Sequence, residues 1–282
     1  MLLPRRETRR VILMRGANVS DLPGIHLLKR TLTLFGLFGF DPLRFVRALR
    51  GLPRFLRDLR SYRSADVHRR LPVRLVDLEP RLSDRFENAG VASGHYFHQD
   101  LWAARKIFLA RPAHHLDVGS RVDGFIAHLL TFMPVEVIDI RPLKSSVVGL
   151  SFTQDDAGAL ARIPDGSVTS ISSLHAVEHF GLGRYGDPVD PQAPFQAMRA
   201  LERVLAPGGT LYFSVPIGIE RVCFNAHRIF SPRTILGEFS ALRLVSFSAV
   251  GDAGELDPDC PPDRYAQARY ACGLFEFTKV AS

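Results

Sequence analysis

From about residue 114 onward the sequence alternates short β-rich runs with stretches of helical spacing, and this alternation limits the fold more than any other feature. Strands are expected at 114–119, 135–140, 147–152, 168–174, 210–215, 242–250 and 271–280. Helices are expected at 122–130, 194–205 and 232–239, with Pro194 and Pro232 suited to first turns. Strands separated by helices imply a mostly parallel sheet covered on both faces. Right-handed crossovers make that sheet an α/β doubly wound, Rossmann-like one of seven strands.

In such a sheet a ligand lies beyond the carboxyl ends of the strands. The residues expected there are few and chemically varied. The first strand leads into Asp117, Gly119, Ser120 and Arg121. The second ends at Asp139 and Ile140, the third at Asp155 and Asp156 followed by Ala157, and the fourth at His175, Glu178 and His179. Gly119 permits a tight turn and close backbone approach. Ser120, with Asp123 three residues on, has the spacing of a helix N-terminal cap. Asp139 follows Asp117 by 22 residues, where a carboxylate can accept from ribose hydroxyls. Asp156 can accept from an adenine amino group.

The chain carries 36 Lys+Arg and 29 Asp+Glu, a net +7, but the excess is local. Residues 1–70 hold 16 basic and 5 acidic side chains, and the remainder is mildly acidic. A basic extension over 1–70 and an α/β domain over 71–282 are therefore expected. Arg44, Arg47, Arg50, Arg54, Arg57, Arg60 and Arg63 recur every three or four residues opposite an apolar stripe. That is an amphipathic helical pattern, which Pro53 is expected to split in two. Its two readings are a cap on the main domain and a helix lying on an anionic membrane, the second helped by the apolar run 31–40. Nucleic acid is disfavoured, because no aromatic platform accompanies the arginines.

Three widely spaced cysteines, Cys223, Cys260 and Cys272, exclude a disulfide framework and fit a reducing cytoplasm. The run 31–40 is too short to span a bilayer. Arg15 interrupts the opening segment, against a secretory signal, and Met14 is an alternative start. The expected location is cytoplasmic, with a peripheral inner-membrane association through the arginine face.

At the strand-end residues the chain resembles the class I S-adenosylmethionine-dependent methyltransferases. The matching stretches are LDVGSR (116–121), VIDI (137–140), DDA (155–157), IPDGSVTSISSLHAVEH (163–179) and LERVLAPGGTLYFSVP (201–216). The resemblance covers about 100–282. It implies S-adenosylmethionine as cofactor, with Asp117 and Gly119 at its methionine end, Asp139 and Ile140 at the ribose, Asp156 and Ala157 at the adenine, and Ser120, Arg121 and His175 alongside. The segments 94–102, 117–125 and 225–232 look like a little-characterised bacterial branch associated with surface-polysaccharide biosynthesis. That association implies a hydroxyl of a glycan, nucleotide-sugar or glycolipid precursor as small-molecule acceptor. The family favours three alternate glycines after its first strand; here Arg121 and Asp123 stand at the second and third places. Arg121 then pairs with a methionine carboxylate or with Asp123.

A hydroxyl acceptor needs a general base. His179 is the first candidate, with His98 and His227 behind it. His175-x-x-Glu178-His179 also fits a zinc-protease pattern, but glycines soon after it end any helix that would align the two histidines, so no metal is expected. The Gly/Pro/Asp-rich stretch 181–193 reads as a lid or acceptor loop. The competing readings are a catalytically inactive relative, partner within a membrane-associated biosynthetic complex, and a nicotinamide oxidoreductase. The second would want Gly-x-Gly-x-x-Gly where Gly119, Arg121 and Gly124 stand.

Overall fold

The computed structural model describes Gly36, Gly39 and residues 41–68, 71–156 and 158–280. Ala157 and, except for its two glycines, the apolar run 31–40 lie outside the described residues. The chain divides into two compact units, residues 1–90 and 91–282.

The described part of the first unit is built on α1 (Pro42–Ala65), where the Asp41 carboxylate accepts from Leu43 N at 2.9 Å and Arg44 N at 3.0 Å. The expected break at Pro53 does not occur, and α1 is one helix of 24 residues. A proline removes a single i→i−4 bond, and the Leu- and Arg-rich flanks have the helix propensity to carry the helix past it. All seven arginines are exposed and no residue of α1 is buried. Residues 71–90 belong to this unit rather than to the α/β domain. Gly51 lies so close to Leu82 that a Cβ there would stand 2.1 Å from its carbonyl oxygen. The Arg63 guanidinium also reaches the Val73 carbonyl at 3.5 Å.

The second unit opens with α2 (His95–Ala110) and β1 (Leu116–Val118). A π-helical turn, Val122–Ile126, runs into the short α3 (Ala127–Leu129). Then come β2 (Val135–Asp139), β3 (Leu150–Gln154), β4 (Val168–Leu174), α4 (Ala193–Val204) and β5 (Leu205–Ile217). The chain ends through the hairpin β6 (Arg221–Cys223) and β7 (His227–Ile229), then α5 (Pro232–Glu238), β8 (Leu242–Val250), β9 (Leu256–Asp257) and β10 (Ala271–Lys279). Eight strands form one sheet in the order β3-β2-β1-β4-β5-β10-β8-β9. The first five are mutually parallel, and β10 runs antiparallel between β5 and β8. The eighth strand, beyond the seven expected, is the two-residue edge strand β9.

Alternating side chains fill the two faces. Val118, Leu211, Phe213, Val215, Phe275 and Phe277 pack with Met198 and Leu201 of α4 and Ile235 of α5. Val135, Val137, Tyr212 and Leu274 pack with Trp102, Ala103 and Ile107 of α2 and Phe125 of the π-helical turn. Helices thus cover both faces, and the sheet is doubly wound. The strand order reverses direction between β1 and β4, and a crevice opens there.

Two boundaries depart from expectation for physical reasons. Val147 and Val148 are exposed in the turn before β3, so their β-branched chemistry misplaces that strand by about three residues. The Pro207-Gly208-Gly209 turn does not precede β5 but is absorbed within it: Val168 pairs with Leu205, and Ser170 already with Thr210. Phe213 lies fully buried on β5, in ring contact with Phe239 and Phe275. Phe213→Ala is expected to lower stability by about 3–5 kcal/mol with an unchanged denaturant slope, measured by urea unfolding.

Candidate active site

Asp117 ends up beneath the crevice rather than in it. Its side chain is fully buried; Oδ2 accepts from Ser120 N at 3.0 Å and Oδ1 from Ser120 Oγ at 2.6 Å and Ser172 Oγ at 2.5 Å. Ser172 belongs to β4, so one carboxylate ties β1, the turn after it and the neighbouring strand. The network continues inward. His115 Nε2 lies 2.9 Å from Ser172 Oγ, and Nδ1 lies 2.8 Å from Ser170 Oγ. Since the Ser172 proton goes to Asp117, His115 donates through Nε2 and accepts from Ser170 through Nδ1. Burial lowers His115 to about 3, so it is neutral, as this bonding requires.

Ser120 is not a helix cap, contrary to expectation. Its hydroxyl is committed to Asp117 and accepts from Leu174 N at 3.1 Å, while Asp123 pairs with Arg121 at 2.8 Å. Gly119 adopts φ +77°, and a Cβ there would come within 2.9 Å of Ala176 Cβ. Gly124 is required by packing: a Cβ there would meet the Asp100 carboxylate of α2 at 2.6 Å.

Above this floor is a cleft of about 400 Å³, within the range of small-molecule sites. Gly119, Arg121, Asp139, Ile140, Asp156, His175 and His179 all line it. Asp117 and Ser120 are expected cofactor contacts that do not line it; they hold its floor. Asp139 faces Arg141, which donates from N at 2.8 Å, from Nε at 3.0 Å and from a terminal nitrogen at 2.6 Å. The Arg141 guanidinium stacks over Tyr185 at 4.7 Å. Arg121 lies over Tyr96 at 5.3 Å. Asp156 accepts from Gly158 N at 2.8 Å, turning the chain at the rim. The wall carries four carboxylates (Asp139, Asp156, Asp187 and Asp190) against Arg121 and Arg141, an acidic balance that suits a cationic ligand.

The expected loop 181–193 supplies much of the opposite wall. Asp187 organises it, accepting from Gly181 N at 2.6 Å and Tyr185 N at 3.2 Å. Tyr185, Arg141 and Asp187 were not singled out from sequence; an Asp six residues after a Gly is too common a pattern to announce this loop.

The histidines divide by place. His179 reaches the cleft from the 3₁₀ turn Val177–His179. Its Nδ1 stands 2.7 Å from the Ala226 carbonyl, which can only accept, so Nδ1 carries the proton and Nε2 the lone pair. Nε2 lies 3.7 Å from Glu178 Oε1. Burial lowers the His179 pKa, against the raising effect of Glu178. His98 and His227 do not line the cleft: His98 lies on α2 edge-on to Phe97, and His227 packs on Tyr270. His175 has φ +48° and is buried, with Nδ1 2.6 Å from Glu178 Oε1. Burial works to lower its pKa, but the Cys272 and Glu178 charges raise it well above the ordinary value.

No curated protein matches this chain. The family model described as Caenorhabditis protein of unknown function, DUF268, matches residues 164–247, from just before β4 into β8. Among solved structures, the chain is similar to the N-methyltransferase NodS of Bradyrhizobium japonicum WM9 in complex with S-adenosyl-L-homocysteine. Identity there is 16%, with 66% of this chain and 88% of the other covered and a TM-score of 0.44. A putative sarcosine dimethylglycine methyltransferase from Galdieria sulphuraria matches at 14% identity, 65% and 86% coverage and a TM-score of 0.47. The 1,6-didemethyltoxoflavin-N1-methyltransferase of Burkholderia thailandensis matches at 18%, 64% and 78%, with a TM-score of 0.45.

Burial pushes Asp117 up to about 6, against the lowering effect of its serine donors. The folded state therefore holds a proton that the unfolded chain releases near pH 4. Stability is expected to fall as pH rises from about 4 to 6 and to level off above, a contribution on the order of 3 kcal/mol. Asp117→Asn should flatten that part of the profile, read as urea midpoints across the same pH range.

Proposed function

We propose that this chain is an S-adenosylmethionine-dependent methyltransferase. The observation that carries the reading is the cleft at the β1/β4 switch, walled by carboxylates from the ends of successive parallel strands. The donor set fits the cofactor. Asp139 ends β2 and presents a carboxylate for the ribose hydroxyls, and Asp156 lies beyond β3 for the adenine edge. Ile140 adds an apolar contact, and the wall's acidic balance suits a sulfonium and an α-amino group. Arg141 now occupies the edge of Asp139 that a ribose would take, so ligand entry exchanges one set of donors for another. When bound, the cofactor supplies a methyl group activated by positive sulfur.

The chain's own residues then have distinct tasks. Gly119 lets the backbone approach the ligand, and Tyr96 with the 181–193 wall restricts water. His179 holds its Nδ1 proton on the Ala226 carbonyl and keeps Nε2 free to take a proton from an acceptor hydroxyl. The buried Glu178 beside Nε2 stabilises the imidazolium so formed.

The acceptor class we assign is a hydroxyl of a glycan, nucleotide-sugar or glycolipid precursor, and the setting is the cytoplasmic face of a membrane. Helix α1 supports the setting: it pairs an exposed arginine face with an apolar stripe of Val46, Leu49, Leu52 and Leu56, each at least 41% exposed. Among the described residues no helix is long and apolar enough to cross a membrane. One observation favours a second reading, a catalytically inactive partner protein: Arg121 and Asp123 neutralise each other where the methionine end would lie.

Calorimetry with S-adenosylhomocysteine separates the two. Micromolar binding that weakens tenfold or more in Asp139→Ala supports the enzyme, on the scale of hydrogen bonds to a charged group; no binding supports the inactive partner. His179→Ala is expected to keep that binding and to lower transfer of labelled methyl to a glycan hydroxyl about a hundredfold. The chain should also co-sediment with anionic but not neutral vesicles, and release as salt rises.

A further inference from the structure

Around His175, which lines the cleft, three metal-ligating side chains from distant parts of the sequence converge. His95 begins α2, His175 follows β4 and Cys272 lies on β10. One ligand atom from each lies within 4.8 Å of the others. A tetrahedral ion with bonds of about 2.0–2.3 Å needs donors somewhat closer than that, so the cluster is a slightly open cage. It is also a different grouping from the sequence pattern His175-x-x-Glu178-His179: His179 is turned to the Ala226 carbonyl and takes no part.

A second observation points to a ligand here. The His175 side chain is 3% exposed, and its buried Nε2 makes no hydrogen bond of ordinary geometry, with the Cys272 sulfur as its neighbour. A buried polar nitrogen left unpaired is costly, and native structures rarely tolerate one without a reason. Its other nitrogen is held by Glu178 at 2.6 Å, which fixes the proton on Nδ1 and aims Nε2. This is the carboxylate–histidine arrangement that orients metal ligands. His95 is held in the same way, with Nε2 donating to the Tyr270 carbonyl at 3.1 Å and the lone pair left on Nδ1. The second Glu178 oxygen, Oε2, is likewise buried without a partner.

We propose that His95, His175 and Cys272 form a transition-metal site selective for zinc, with Glu178 as the positioning residue for His175. Two imidazoles and one thiolate are donors that zinc prefers over magnesium or calcium. Three protein donors leave one tetrahedral position for water or a ligand, and His175 also lines the cleft. The site is independent of the methyltransferase reading and is tested without activity.

The test uses the full chain, stripped with a chelator and titrated with cobalt(II), then zinc. Expected are one cobalt per chain and a thiolate-to-cobalt charge-transfer band that zinc removes by displacement. The band should persist in Cys260→Ser, which changes a buried cysteine elsewhere, and vanish in Cys272→Ser. Glu178→Gln should keep the band but weaken affinity 10–100-fold, the usual effect of losing the carboxylate behind a histidine ligand. Circular dichroism reports whether Cys272→Ser folds. If it does not, His95→Ala decides, because His95 is only half-buried at the start of its helix; loss of at least tenfold in cobalt affinity supports the site. No charge-transfer band in the parent chain, a band surviving in folded Cys272→Ser, or unchanged affinity in His95→Ala overturns it.

Discussion

The carboxylate of Asp117 is the fixture on which the rest of the crevice depends. Strands β1 and β4 are sequence-distant neighbours, and the turn after β1 must leave the sheet at a fixed angle for any ligand to lie beyond it. A buried charge is tolerated only where several donors surround it. Ser120 N, Ser120 Oγ and Ser172 Oγ are those donors, and each belongs to an element that the crevice needs in place. Behind them the neutral His115 sets the direction of the chain of protons from Ser170 to Asp117. Removing one donor would leave charge unbalanced in a dry interior, so the network acts as a unit.

Given that floor, the glycine pattern becomes a packing statement. Gly119 is required by a positive φ and by Ala176. Gly124 is required by Asp100, whose carboxyl is raised by burial and accepts from Gln99. The intervening Arg121 and Asp123 neutralise each other at the surface, where such a pair contributes little stability. They leave the floor unaffected.

Much of this was legible in the sequence because period-two and period-3.6 patterns report burial directly. The limits 168–174 and 242–250 agree with β4 and β8. Asp139, Asp156, Gly119, Arg121, Ile140, His175 and His179 were legible as strand-end residues, and the cleft gathers them. What escaped was tertiary in origin. Helix α2 carries Gln99, Ala103 and Ile107 buried at intervals of four, but its aromatic and histidine residues invite reading as a motif. Arg141 and Tyr185 meet across 44 residues, and no local rule links them. Pro53 shows the converse: a strong local rule yields to helical flanks.

The places where local rules fail gather around one histidine. His175 takes a left-handed conformation uncommon outside glycine, buries a nitrogen without an ordinary hydrogen bond, and has its ring 5.2 Å from both His95, stacked, and Tyr96, tilted. Conflicts of this kind persist where a fold is held for something other than stability. The same turn after β4 brings both His179 and His175 to the cleft wall, with Glu178 between them touching both. A single buried carboxylate therefore couples the two histidines: charge gained at one changes the potential felt by the other.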